Sequence, residues 1–239
     1  AGYLYHTDIS NNYTRSVKVT SDTGSSLCKI AKDPSNPAVV WTFTQNSNVS
    51  LVDLSTMTSM SSVRAKENES WCPNQALSLN YIGFEPSARY KLITDHPSEI
   101  RVFDLVSNNI AISRIVFQPA NLKNNDNAYD NITTIELGSD RNFNDVIFVG
   151  TYKGNIYQVN LQKDGDLENS TWTPLVMRSQ FVNFSSPIKE IKFKYLIDPV
   201  QNNTIQRGKP VLVISNTVDG SILLYDLSLG KLKTIRNYL

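Results

Sequence analysis

The sequence predicts an all-β chain made of four copies of one strand unit. The first observation is a hairpin end that recurs four times: Val49-Ser-Leu-Val-Asp53-Leu54, Ile100-Arg-Val-Phe-Asp104-Leu105, Ile156-Tyr-Gln-Val-Asn160-Leu161 and Ile222-Leu-Leu-Tyr-Asp226-Leu227. The second is the apolar strand before each of them: Val39–Thr44, Tyr90–Thr94, Val146–Thr151 and Val211–Ser215. The third is negative. No stretch sustains a 3.6-residue apolar period between caps, so almost no helix is expected.

Taken in order, each unit opens on an apolar strand that ends in x-Pro: Lys29–Pro34, Tyr81–Pro86, Arg114–Pro119 and Lys194–Pro199. Proline donates no ladder hydrogen bond, which suits the end of an inner strand where the chain turns away. A turn separates the second and third strands. In the last unit it is Val218-Asp219-Gly220-Ser221, whose Asp-Gly supplies the positive φ of a short hairpin. A weaker fourth strand follows at Met60–Arg64, Ile110–Ser113, Trp172–Met177 and Lys231–Ile235. The units therefore fall at about 27–64, 77–113, 114–177 and 188–236 within one domain, or domain segment, covering 1–239. The last two are lengthened by polar stretches, Asn121–Asn144 and Gln201–Lys209, expected as surface loops. Tyr3–His6 is read as a further strand from an earlier unit.

Four-stranded units repeated in tandem are the blades of a β-propeller. At this point the chain resembles the WD40-type propeller family over nearly its whole length. The resemblance rests on Phe-x-Pro, on strand–turn–strand, and on Tyr225-Asp226-Leu227 standing where the family carries Trp-Asp. It implies that Asp53, Asp104, Asn160 and Asp226, with Pro34, Pro86, Pro119 and Pro199, define the repeat. The family's Gly-His dipeptide and Trp-Asp pair are both missing. Its buried Asp-His-Ser/Thr-Trp network is therefore not expected, and apolar packing between sheets must hold each blade. Four blades also fall short of the family's usual seven, which implies a larger or partner-completed ring.

Composition narrows the function. A net charge of +1 gives no overall field toward nucleic acid or an acidic membrane. No apolar run is long enough to span a bilayer, so membrane insertion is not expected. The two cysteines, Cys28 and Cys72, form no disulfide framework or metal site; a single bridge is possible, but free thiols are expected. Among 25 asparagines, N-x-S/T sequons occur at Asn12, Asn48, Asn68, Asn131, Asn169, Asn183 and Asn202. They suit a glycosylated secretory protein. Abundant Asn, Ser and Thr also generate sequons by chance, and Asn48 begins a strand. The reading is therefore an intracellular chain, nuclear or cytoplasmic.

Catalytic patterns are weak. Asp22-Thr-Gly-Ser-Ser26 is similar to the active-site loop of pepsin-like aspartic proteases, but the second Asp-Thr/Ser-Gly that shares the proton is absent. No Gly-x-Ser-x-Gly elbow, metal-ligand cluster or phosphate loop occurs, and His96 reads as a turn residue. No catalytic residue, cofactor or metal is assigned. Phe84, Phe103, Phe117, Phe148, Phe193 and Tyr225 read as core. Trp71 and Trp172 lie outside the repeated strands and are candidate partner contacts. So are Lys192 and Lys194, which share one strand face and could serve nucleic acid in an accessory role; Lys231, Lys233 and Arg236 form a second basic group. The expected function is a non-catalytic protein–protein scaffold, a propeller subunit of a larger intracellular complex. The alternative is a secreted or luminal glycosylated propeller acting as a receptor or ligand module. A third, a hydrolase using Asp22, is the weakest.

Overall fold

The computed structural model describes residues 3–19, 25–33, 35–67, 69–79, 91–106, 109–117, 130–140, 142, 144–161, 167–176, 187–196, 208–216 and 222–235. Among the described residues there are eighteen strands: β1 (Tyr3–Asp8), β2 (Tyr13–Lys18), β3 (Leu27–Lys32), β4 (Val39–Thr44), β5 (Asn48–Asp53), β6 (Thr58–Arg64), β7 (Ala76–Leu79), β8 (Lys91–His96), β9 (Glu99–Val106), β10 (Asn109–Val116), β11 (Ile132–Ser139), β12 (Asp145–Thr151), β13 (Ile156–Asn160), β14 (Thr171–Val176), β15 (Ile188–Leu196), β16 (Lys209–Asn216), β17 (Ile222–Asp226) and β18 (Lys231–Ile235). Among the described residues the one helical element named is a 3-10 turn at Leu167–Asn169.

β3–β6, β7–β10, β11–β14 and β15–β18 form four four-stranded sheets in which sequence neighbours pair, and β1–β2 form a two-stranded one. The chain divides into two compact units. The first takes in Ala1–His96 and Ile100–Arg114; the second takes in Pro97–Glu99 and Ile115–Leu239.

The second strand of each sheet explains why the sequence reads so clearly there. β4, Val39-Val-Trp-Thr-Phe-Thr44, is buried at every position, and β12 is buried from Val146 to Thr151. A strand covered on both faces needs a continuous apolar run rather than an alternating one. In the first unit Trp41, Phe43, Val49 and Leu51 pack against Leu92, Phe103 and Ile110 of the neighbouring sheet. In the second, Val146, Phe148 and Ile156 pack against Ile188, Ile191, Leu212, Ile214 and Leu223. Fully burying a residue such as Phe103 contributes about 1.5–3 kcal/mol.

Three strand expectations are corrected. Arg114, Ile115 and Val116 do not open the third sheet but finish β10. That sheet begins instead with β11, inside the stretch 121–144 expected to be a loop. A register shift between Ile132 and Thr134 breaks the alternation that would have marked β11. The bulged residue, Thr133, donates its hydroxyl to Gly150 O at 3.1 Å and Ile188 O at 2.7 Å. β7 lies before Tyr81–Glu85, which falls outside the described residues. β15 begins at Ile188, earlier than Lys194, and carries its own register shift between Ile188 and Glu190. Pro34, Pro86, Pro119, Pro199, Phe84, Asp22 and the Asp219-Gly220 turn also lie outside the described residues.

Gly150 sets how closely the sheets of the second unit approach. A Cβ on Gly150 would stand 2.6 Å from Ile188 Cγ2 and 2.7 Å from Ile188 Cβ and Thr134 Cγ2. These are atoms near the backbone, with little freedom to retreat. Gly150→Ala is expected to cost about 1–3 kcal/mol by overpacking, read as a lower denaturant midpoint at unchanged m-value. Loss below 0.5 kcal/mol would contradict this sheet spacing.

Candidate interaction surface

Three of the four residues expected to define the repeat, Asp53, Asn160 and Asp226, are the last residues of their third strands. Asp53 stands opposite Val39, Asn160 opposite Val146 and Asp226 opposite Val211. Asp104, inside β9, instead meets Lys91 of β8 at 3.5 Å. Their work is local. Asp53 Oδ1 accepts from Ser55 N at 2.7 Å and Ser55 Oγ at 2.6 Å; Asp226 Oδ1 accepts from Ser228 N at 2.9 Å and Ser228 Oγ at 2.5 Å. Both belong to Asp-Leu-Ser turns that include a positive φ, at Met57 (54°) and Gly230 (63°). The serine hydrogen bonds hold both carboxyls below the usual aspartate range. Asn160 Nδ2 reaches Thr173 Oγ1 at 3.2 Å across the strand. These side chains close turns and brace strands.

Trp71 and Trp172, expected as candidate surface anchors, are buried, at 7% and 9% exposure. Trp71 belongs to an internal polar cluster of the first unit. Its indole Nε1 donates to Asp95 O at 3.1 Å, and Arg101 lies over its ring at 4.3 Å. Arg101 is wholly buried and meets Glu69 Oε2 at 2.6 Å, while His96 Nε2 lies 3.1 Å from Glu69 Oε1. Desolvation pushes the Glu69 carboxyl up, but the hydrogen bond and charge of Arg101, with His96 and Lys66, outweigh it and hold the group below its ordinary value. Burial pushes Asp95 up, although its carboxylate accepts from Gln75 N at 2.7 Å. His96 is thus more than a turn residue: it is part of this network. In the second unit Trp172 meets Phe117 and Tyr157 edge-on. Burial, with Asp130 nearby, pushes the Tyr157 phenol up to about 12.

The cysteines are the clearest correction in the site. Cys28 and Cys72, expected as free thiols, form a disulfide with Cα atoms 6.1 Å apart. It pins the segment after β6 onto β3, where Lys29 Nζ also reaches Asn74 O at 2.6 Å.

Of the lysines on β15, Lys192 is paired with Glu136 at 3.5 Å and Glu190 at 3.3 Å. Desolvation lowers its pKa, but the two carboxylates outweigh it and raise the value. Its charge is already answered within the strand's own neighbourhood. Lys194 is exposed on the same strand.

Exposed apolar groups gather instead on the β1–β2 hairpin. Leu4 and Val19 are buried against Val40 and Val52, Val17 packs beside them, and Ser50 Oγ donates to Val19 O at 3.2 Å. That base fixes the hairpin on the β3–β6 sheet. Alternation then turns Tyr3, Tyr5, Thr7, Thr14, Ser16 and Lys18 to the other face, where all six are exposed. Tyr5 is 66% exposed and its ring lies 6.3 Å from that of Tyr3. Tyrosine suits such a place because it offers broad apolar area with a polar tip. The alternation of β1 is the sequence signal that marks this face.

No protein-family model matches the chain, and no curated protein matches it. Solved structures do. The crystal structure of a mitotic checkpoint complex contains a chain matched over 98% of this one and 57% of its own length, with a TM-score of 0.54 and 11% identity. That of BBS1N in complex with ARL6DN matches over 87% and 55%, with a TM-score of 0.50 and 12% identity. The fold is β-propeller-like. At such identities the likeness shows the fold alone, and the chain spans little more than half of each matched structure.

Proposed function

We propose that this chain is a non-catalytic protein-interaction scaffold, a WD40-like propeller subunit of a larger multiprotein assembly. Support comes from the β-propeller-like fold and from the two matched structures, one of a mitotic checkpoint complex and the other of BBS1N in complex with ARL6DN. The observation that carries the reading is the outward face of β1–β2. It is a two-stranded sheet beside four-stranded ones, braced at its base and presenting Tyr3 and Tyr5. A partner protein that lays an extended segment beside β1 would gain main-chain hydrogen bonds from the strand and apolar contact from the tyrosines. Nucleic acid is not part of this reading, since Lys192 is neutralised by two glutamates.

The test is site-specific photocrosslinking in source cells. Benzoylphenylalanine at position 5 should yield one discrete protein adduct, and at position 60, exposed on β6, none. Tyr3→Glu should weaken the position-5 adduct at least several-fold without shifting the melting temperature. No adduct at position 5, or equal adducts at both positions, would overturn the assignment.

A further inference from the structure

We infer that this protein matures in an oxidising secretory compartment and carries N-linked glycans at Asn12, Asn131 and Asn169, with Asn48 left bare. The inference goes beyond the scaffold reading and does not depend on it. Two independent features converge. The first is the Cys28–Cys72 disulfide, which uses every cysteine in the chain. Structural disulfides persist in secreted and luminal proteins and are rare where thiol reductants dominate. Cys28 is half-buried against the first unit's apolar core, so the bridge is built into the packing.

The second feature is how the fold sorts the sequons. Four of the seven lie among the described residues. Asn12 is exposed at the tip of the β1–β2 hairpin, where φ is 48°. Asn131 is exposed just before β11, and Asn169 is exposed in the 3-10 turn before β14. All three lie in connecting segments, where a bulky solvated sugar costs no packing. Asn48 differs. It lies within a strand ladder rather than in a connection: it opens β5 opposite Arg64, is only half-exposed, and its carbonyl accepts from Thr44 Oγ1 at 3.2 Å. A glycan at Asn48 would have to share the crowded end of the β4–β5 hairpin.

The chemistry is complete with two co-reactants of the secretory pathway. Oxidation joins the two sulfurs and passes two electrons and two protons to a disulfide-bearing oxidoreductase. Glycosylation bonds each asparagine Nδ2 to the anomeric carbon of an oligosaccharide, breaks that carbon's bond to a lipid-linked pyrophosphate, and releases one amide proton. On the hairpin, the sugar at Asn12 would screen Ile9, which is 91% exposed, and Tyr13, leaving Tyr3 and Tyr5 toward the base uncovered.

The experiment uses the native protein, captured by antibody from its source cells. Peptide N-glycosidase digestion in oxygen-18 water marks each occupied asparagine as labelled aspartate, and alkylation under denaturing conditions counts free thiols. Labels at positions 12, 131 and 169, none at 48, and no alkylated cysteine are expected. Absence of label at all three exposed sites, a label at 48, or two alkylated cysteines would overturn the inference. A second measurement guards against loss of sugar during isolation. The full chain, expressed behind a cleavable signal sequence, should be secreted with endoglycosidase-sensitive mass steps, one of which is lost with each of Asn12→Gln, Asn131→Gln and Asn169→Gln and none with Asn48→Gln. Secretion of an unshifted folded chain would likewise sink it.

Discussion

Arg101→Met is expected to destabilise the first unit by about 3–5 kcal/mol, because it leaves Glu69 without the cation that makes its burial tolerable. Methionine keeps much of the arginine stem's volume, so the loss reports charge rather than a cavity. Arg101 has no exposure, Glu69 has 14%, and the two meet at 2.6 Å, with the guanidinium over the Trp71 ring. The pH dependence separates this from simple loss of packing. In the native chain the Glu69 pKa is depressed, so its contribution is fully present above the ordinary glutamate value near 4.5 and is lost as pH falls through the lower folded value. Without Arg101, desolvation dominates and the folded pKa rises instead. The penalty of Arg101→Met should then be greatest at neutral pH and shrink as Glu69 takes up a proton. Arg101→Met with Glu69→Gln should recover much of the loss. Denaturant titrations followed by Trp41 and Trp71 fluorescence, at pH 7 and pH 4, provide the measurement. A penalty equal at both pH values would show that the ion pair carries none of it.

The same cluster marks the boundary of what could be read in advance. The second and third strands were legible almost to the residue, since burial on both faces forces an unbroken apolar run, as in Val146–Thr151. First strands were legible only in part: Lys29–Lys32 falls within β3, but the later sheets open elsewhere than their x-Pro stretches. β11 hid behind the bulge at Thr133 and among asparagines that favour loops, while Arg114-Ile-Val at the end of β10 imitated a strand start. Arg101 was invisible for another reason. It sits in a hairpin-end motif whose second position is otherwise Ser, Tyr or Leu, and an arginine there reads as solvent-facing. Only the approach of Glu69 and Trp71, some thirty residues earlier, makes its burial possible. The disulfide was equally illegible: two cysteines 44 residues apart carry no local signal of proximity. The tyrosines of β1 were legible by alternation. Trp71 and Trp172 mislead because tryptophan, common at interfaces, also gains much from burial.

Removing the disulfide, as Cys28→Ala with Cys72→Ala, is expected to cost about 4 kcal/mol and lower the melting temperature by about 10 °C. The size follows from the 44-residue separation, because a cross-link over that span deprives the unfolded chain of much of its freedom. The native contacts should survive. The pinned segment is also held by Ala65 N to Ser47 O at 2.8 Å, Trp71 N to Gln45 O at 3.1 Å and Arg114 Nη2 to Ala65 O at 2.7 Å. The variant should therefore keep the strand-dominated circular dichroism of the parent and differ in stability alone. Wild type in strong reductant should melt with the double variant, since both lack only the bridge. If the variant instead loses the Trp71 environment, read as a red-shifted emission, the sulfurs are positioning the segment as well as shortening the loop. Were wild type to melt at one temperature with and without reductant, under conditions where alkylation confirms reduction, the stabilising role of the cross-link would be disproved.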